Sequence, residues 1–176
     1  MTSLLTLLTL FWLADPTLVK GVPPPPGGTF EAEITKVVSE HAKVEMQGLL
    51  AELERMSQPA ETKAEIKRRL AGLKVAVYTT PKSWDETVAF YEGPAMKVVF
   101  LKGSRDILAD LQEYARSAGI AVDPAVEKAW TGKSGLTARW TKDDETLQIV
   151  VEDHLIDPRD GKVTPKTVVL VTKLGS

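Results

Sequence analysis

The densest group of side chains able to do chemistry lies in a short stretch near the C-terminus. Glu152, Asp153 and His154 are consecutive, and Asp157 and Asp160 follow shortly after them. Carboxylate oxygens are ligands for Ca²⁺, although the spacing here fails the usual calcium loop. A histidine beside carboxylates is also the starting point for a zinc site or for acid–base catalysis. If this stretch holds a metal, the expected ligands are Glu152, His154, Asp157 and Asp160.

Other features of the sequence argue against a catalytic or metal centre. Zinc sites draw on several His or Cys ligands, but the chain has no cysteine and its other histidine is His41. Ser134, in the run GKSG, belongs neither to a nucleophile elbow nor to a P-loop. We therefore expect no catalytic residue and no cofactor. Residues 152–160 are interpreted as a charged loop that keeps a sheet edge soluble, with both histidines at the surface or an interface.

Charge and length exclude some classes of protein. The chain has 176 residues, with 22 Lys and Arg against 24 Asp and Glu, for a formal charge of −2. So small a net charge gives no long-range field to attract nucleic acid, and we expect no such partner. The basic run Lys67–Arg69 is interpreted as a solvated helix face. A chain of this length favours a single domain.

The N-terminus is apolar and uncharged from Leu4 to Ala14. This run is too short to span a bilayer, which needs about 20 residues, but it has the length of a signal-peptide core. Residues 1–14 are therefore predicted to be a signal peptide, which would place the protein in the periplasm or outside the cell. The alternative is a cytoplasmic protein in which this segment is an amphipathic helix docked on the domain.

A stretch rich in proline and glycine follows the apolar run. Four prolines at 23–26 fix the backbone in an extended conformation, and Gly27 and Gly28 then release it. Residues 15–28 are predicted to be a linker, and residues 29–176 to be a single domain. On this interpretation a chain beginning at Thr29 keeps its thermal midpoint.

The periodicity of the domain indicates an α+β fold. Residues 29–47 fit a strand or a helix; extended structure up to Gln47 is favoured, followed by a helix from Leu49 to Met56. Beyond Pro59, the expected elements are helix 62–71, strand 74–80, a helix capped by Ser83 and Glu86, strand 96–102, a helix capped by Ser104, and strands 136–141, 146–152 and 167–173. The predicted fold is a single α+β domain with an N-terminal helical region, a βαβα unit and a C-terminal antiparallel β-meander in a mixed sheet.

Two runs of this sequence resemble uncharacterised bacterial proteins. Strand residues Val77–Thr80 and the helix Ser83–Tyr91 are similar to a broad set of exported and membrane-tethered α+β domains with a "TxSxExVxFY" helix and a β-meander. Ala129-Trp130 stands where those domains carry "GW". Residues 43–78 have a weaker likeness to another uncharacterised exported family. Both resemblances imply a location in the cell envelope, and neither implies a chemistry.

The sequence is compatible with two classes of function. The favoured one is a non-enzymatic binding or interaction module of the cell envelope, with an envelope protein or a lipid as partner and no transmembrane span. The alternative is a small hydrolase or metal-dependent enzyme that uses residues 152–160. A deep pocket containing His154 and carboxylates of shifted pKa would favour the enzyme, whereas a shallow apolar surface would favour binding.

Overall fold

A computed structural model describes Val19 and residues 22–92, 98–119, 121–142 and 147–175 of the protein. The predicted signal peptide, residues 1–14, lies outside the described residues. So does most of the polar hairpin tip expected at 142–145.

The described residues form five helices and eight strands. The helices are α1 (Ala32–Arg55), α2 (Ala60–Ala71), α3 (Trp84–Tyr91), α4 (Ile107–Ala118) and α5 (Pro124–Trp130). The strands are β1 (Thr29–Phe30), β2 (Lys74–Thr80), β3 (Val98–Asp106), β4 (Ser134–Lys142), β5 (Leu147–Glu152), β6 (Leu155–Ile156), β7 (Val163–Thr164) and β8 (Thr167–Lys173). The predicted α+β class is confirmed.

Six of the strands form one sheet in the order β1-β2-β8-β5-β4-β3, and β6 and β7 form a separate pair. The predicted C-terminal meander is confirmed as β4, β5 and β8. Every pairing among the described strands is antiparallel, so the expected mixed sheet becomes an antiparallel one. The reason is that β2 and β3 run in the same direction but are not neighbours, because the meander is inserted between them.

The large sheet is covered by apolar side chains on both faces. On one face, Tyr78, Trp140 and Val169 pack with Trp84 and other side chains of α3. Helix α3 begins with the predicted capping box: the Glu86 amide donates to Ser83 Oγ at 3.2 Å, and the Ser83 amide donates to Glu86 Oε2 at 3.0 Å.

The opposite face is covered by α1. Ile34 packs there against Val77 and Val168, with Leu155 and Leu170 at the edge of the cluster. All residues of β2 from Val75 to Thr80 are buried, as a strand covered on both sides requires.

The long helix α1 corrects the expectation of extended structure up to Gln47. Of the described residues before α1, only Thr29 and Phe30 pair with β2, and the chain turns into the helix directly afterwards. Ile34 and Thr35 are buried, and Val38, one turn on from Ile34, packs in the same cluster, so the first turns of α1 cover the sheet. Gly48 costs the helix about 1 kcal/mol relative to alanine, and this did not suffice to break it.

The strand expected at 96–102 also differs in extent. It is β3, which lies at the edge of the sheet and runs on to Asp106. Ser104 is therefore inside a strand and is not a helix cap. The cap is Asp106, whose carboxylate accepts from the amides of Leu108 at 2.9 Å and Ala109 at 3.2 Å.

The segment before β1 is attached to the domain. Val19 and Val22 are 2% and 5% exposed and belong to the core under α3. The Tyr91 hydroxyl donates to the carbonyl of Pro23 at 3.0 Å, and the Thr80 hydroxyl donates to that of Pro26 at 2.8 Å. The folded unit thus reaches back at least to Val19.

Truncation at two points separates a removable leader from a structural segment. A chain beginning at Asp15 keeps Val19 and Val22, and we expect an unchanged thermal midpoint. A chain beginning at Thr29 loses two buried valines, at about 1.5–3 kcal/mol each, and its midpoint should fall by about 6 °C or more. Scanning calorimetry of both chains checks this. Equal midpoints for Thr29 and Asp15 chains would show that the valines contribute nothing.

Candidate functional site

The predicted candidate residues lie near one end of the large sheet, but their side chains do not form a single site. Glu152 ends β5, and Asp153 and His154 form the bend that leads into β6. Asp157 and Asp160 lie beyond that, in the turn between β6 and β7.

The carboxylates of Asp157 and Asp160 are already hydrogen-bonded within this turn. Asp157 accepts from the guanidinium of Arg159 at 2.8 Å, and Asp160 accepts from Lys162 Nζ at 2.6 Å. These charge-assisted bonds hold the pKa of each carboxyl below its usual range. In the part of the chain that the structure describes, no three His, Asp or Glu side chains are grouped to hold a metal ion. A metal site of Glu152, His154, Asp157 and Asp160 is therefore not assembled.

His154 is buried, which corrects the expectation of a surface histidine. Its side chain is 3% exposed, and Nδ1 lies 2.9 Å from Asp153 Oδ1. The same carboxylate oxygen accepts from the Leu136 amide at 2.9 Å. Because an ionised carboxylate can only accept, Nδ1 is the nitrogen that donates. Asp153 thereby fixes the orientation of the imidazole ring.

Gly135 leaves the space that the ring occupies. A Cβ at this position would lie 2.4 Å from both Nδ1 and Cε1 of His154. Gly135 is itself buried in β4 beside the bend. Gly135, the second glycine of the run GKSG, therefore has a packing role that sequence reasoning missed: it leaves room for the His154 ring of the neighbouring bend.

The other ring nitrogen of His154 is left without a partner. Nε2 is fully buried and makes no hydrogen bond to any described group. An unsatisfied buried polar atom costs about 1–3 kcal/mol, and native proteins tolerate few of them. Such an atom is commonly satisfied by an ordered water or by a ligand.

Two cavities share His154 as part of their lining. The larger, of about 250 Å³, is bounded by Ile107, Trp130, Lys133, Ser134, Asp153, His154 and Pro165. The smaller, of about 110 Å³, lies between α1 and the sheet and is lined mostly by aliphatic side chains, with Glu152 and His154 as its ionisable groups. We call this smaller cavity the α1 cleft.

The carboxyl group of Glu152 lines the α1 cleft, and its charge is only partly neutralised. Its side chain is 26% exposed, and it forms a long ion pair of 3.9 Å with Arg105 Nη1. The guanidinium of Arg105 is bound more closely by Asp110, at 2.5 Å. Burial raises the pKa of Glu152, and the nearby His154 and Arg105 only partly offset this effect.

A wider groove of about 480 Å³ lies on the far side of Pro165 and is lined largely by threonines and lysines. Two of its hydroxyls are already committed, because Thr79 donates to Glu31 at 2.6 Å and Thr80 donates to the Pro26 carbonyl. Lys82 is paired with Glu86 at 3.0 Å. Three of the side chains that line this groove are thus already paired within the fold.

The His154 ring is buried and is held in one orientation by Asp153. An aspartate on Nδ1 is also the arrangement that prepares a histidine to act as a base. A hydrolase would further need a nucleophile, and Ser134 lines the larger cavity. However, Nε2 has no hydrogen-bond partner, so the Ser134 hydroxyl is not bonded to it.

Comparison with known proteins gives no family. No protein-family model, no curated protein and no solved structure matches this chain. Within the described ranges, none of the helices has the length and apolar character needed to cross a membrane.

Adding a methyl group at Gly135 tests the packing around His154. Gly135→Ala should displace the imidazole ring and destabilise the fold by about 1–3 kcal/mol, as overpacking generally does. Gly103→Ala is the matched control on β3, where a Cβ meets nothing within 4 Å. Urea unfolding of both variants measures the difference. Equal stability of the two would mean that the ring moves aside freely.

The raised pKa of Glu152 makes a prediction about pH. When the folded pKa of a carboxyl lies above the unfolded one, folding favours the protonated acid and stability falls as pH rises through that interval. Glu152→Gln stays neutral, so it should be more stable than the wild type at pH 7, with the difference vanishing below about pH 4. Thermal melts across this range check it. A less stable variant at pH 7 would mean that the Arg105 contact outweighs burial.

Proposed function

We propose that this chain is a non-enzymatic ligand-binding module of the cell envelope, and that it binds a small molecule at His154. The observation that carries the proposal is the buried Nε2 atom, which has no hydrogen-bond partner and belongs to a side chain shared by two cavities. A bound molecule that supplies the missing hydrogen bond would remove the desolvation cost of that atom.

The rigidity of the surroundings supports a preformed binding site. Asp153 holds one edge of the imidazole, and Gly135 packs against it. Ligand sites are typically concave, mostly apolar and equipped with a few fixed polar groups. The two cavities have this character on the scale of a small metabolite or fragment.

A location in the cell envelope rests on the N-terminal sequence. The uncharged apolar run Leu4–Ala14 has the length of a signal-peptide core. Cleavage after Ala14 would leave Val19 and Val22 in the mature chain, so export is compatible with the packing of those two valines. Mass spectrometry of the protein isolated from cells tests this part: a mature chain beginning at Asp15 supports it, and an intact Met1 contradicts it.

Nuclear magnetic resonance of a histidine-labelled chain tests the binding site. The chain has two histidines, so His41 serves as an internal reference. A library of fragments with cationic, anionic and neutral members should contain binders that shift the His154 ¹⁵N signals and leave those of His41 unchanged. His154→Leu should abolish that binding, whereas His41→Leu should not. Binders that are unaffected by His154→Leu would place the site elsewhere.

A small hydrolase is the second candidate, and one observation favours it. Asp153, His154 and Ser134 line the same cavity, with the aspartate on the ring nitrogen that a catalytic triad requires. Hydrolysis of p-nitrophenyl acetate that is lost in Ser134→Ala, without loss of thermal stability, would favour the enzyme over the binding module.

A further inference from the structure

The larger of the two cavities beside His154 is lined by two side chains of opposite charge, Lys133 and Asp153. We call it the Trp130 cavity, after the aromatic side chain in its lining. Within the described ranges, Lys133 forms no ion pair, and the ionisable group in contact with Asp153 is His154. The two opposite charges therefore line one cavity without neutralising each other.

A tight turn positions Lys133 beside this cavity. The Lys133 amide donates to the Trp130 carbonyl at 3.0 Å, and Gly132 between them has a φ of +72°, in the left-handed region that favours glycine. The Lys133 carbonyl in turn accepts from the Ile107 amide at 3.3 Å. This turn leaves Lys133 Nζ 4.9 Å from the centroid of the Trp130 ring, within the range of a cation–π contact. The ammonium group is thus placed by the backbone and an aromatic ring, and no described carboxylate neutralises it.

Asp153 is fixed in place and still has acceptor capacity to spare. Its Oδ1 atom accepts from the Leu136 amide and contacts His154 Nδ1, both at 2.9 Å. Its Oδ2 atom accepts from no described group. An ionised carboxylate can accept about four hydrogen bonds, and this side chain is 33% exposed. A ligand can therefore bond to Asp153 without displacing the contacts that hold it.

The remaining lining of the Trp130 cavity is largely apolar, with Ile107 and Pro165 beside the indole ring. An engineered apolar cavity of about 150 Å³ takes up benzene. By the same measure the Trp130 cavity, at about 250 Å³, suits a ligand of about ten non-hydrogen atoms. This is about the size of leucine.

We propose that the Trp130 cavity binds a small zwitterion of the α-amino acid class, whose carboxylate pairs with Lys133 and whose ammonium group pairs with Asp153. The apolar side chain of the ligand packs against Ile107, Trp130 and Pro165. This inference rests on the proposed binding of a small molecule at His154 and names the class of that molecule. The ion pairs are made by Lys133 and Asp153, and the buried Nε2 atom takes no part in them.

The two fixed charges discriminate against other classes of ligand. A simple anion can pair with Lys133 but is repelled by Asp153, and a simple cation can pair with Asp153 but is repelled by Lys133. A neutral molecule leaves both charges unpaired. Hydrogen bonds to ionised groups are roughly twice as strong as those between neutral groups, so the zwitterion gains at both ends.

The test uses the full chain, labelled with ¹⁵N at tryptophan and histidine and with ¹³C at isoleucine methyl groups. It is titrated with leucine, isopentylammonium chloride and sodium isocaproate at constant ionic strength. These probes share the isobutyl group, and each of the last two lacks one charged group of leucine. We expect saturable shifts of the Trp130 indole and the Ile107 methyl signals with leucine, and much weaker shifts with the other two. The Trp130 signal is the one that is missing from the spectrum of Trp130→Phe.

Lys133→Gln removes the positive charge from an exposed side chain that forms no ion pair with a described group, so thermal melts should show an unchanged midpoint. The variant should bind leucine at least about tenfold more weakly, which corresponds to about 1.4 kcal/mol. It should also bind isopentylammonium at least as tightly as leucine, which a general loss of packing would not cause. Lys128→Gln, on an exposed position of α5 outside the cavity lining, is the matched control and should bind leucine as the wild type does. Undiminished leucine binding by Lys133→Gln would overturn the inference.

The probes also separate failure of this inference from failure of the proposed function. If isopentylammonium or isocaproate shifts the Trp130 signal as strongly as leucine does, the zwitterion is the wrong class and binding of a small molecule at His154 stands. The same holds if leucine shifts nothing and members of the fragment library shift His154. If neither these probes nor the library shifts Trp130 or His154, both proposals are wrong.

Discussion

Residues 74–80 pair with residues 167–173 in antiparallel register, and the rest of the structure depends on this contact between β2 and β8. The pairing places the N-terminal helices beside the C-terminal meander, although nearly ninety residues separate the two strands along the chain. It also leaves two apolar faces to be covered. Tyr78 and Val169 lie under α3 and the segment around Val19, while Val77 and Val168 lie under α1. Apolar burial is the main favourable contribution to folding, so the fold needs both faces of the sheet to be covered.

The site around His154 is a consequence of that arrangement. The α1 cleft takes one wall from the first third of the chain and its two ionisable groups from the end of β5. Burying His154 and Glu152 opposes folding, because neither group is fully paired. Gly135 and Asp153 nevertheless fix the imidazole in place. Functional sites often contain groups whose burial destabilises the fold, and packing elsewhere in the protein compensates for that destabilisation.

The elements with strong local signals were predictable from sequence. Alternation located β2, β5 and β8 closely, and the Ser83 capping box located the start of α3. Helix α1 was mispredicted over residues 32–47, because its apolar residues fit both periods and only tertiary packing decides between them. The cleft could not be predicted, since no local pattern links Ile34 to Glu152. Asp157 and Asp160 were named for their carboxylates, but their immediate neighbours Arg159 and Lys162 already neutralise them.

The central claim is that Asp153 fixes the His154 imidazole and that its buried Nε2 atom has no hydrogen-bond partner among the described groups. The most direct measurement is a long-range ¹H–¹⁵N correlation spectrum of the histidine-labelled chain without added ligand, in which two imidazoles are observed. The account predicts that the neutral form of His154 is a single tautomer protonated at Nδ1, with the ¹⁵N shift of Nε2 typical of an unprotonated nitrogen that accepts no hydrogen bond. A His154 ring protonated at Nε2, or exchanging between tautomers as an exposed histidine does, would contradict it.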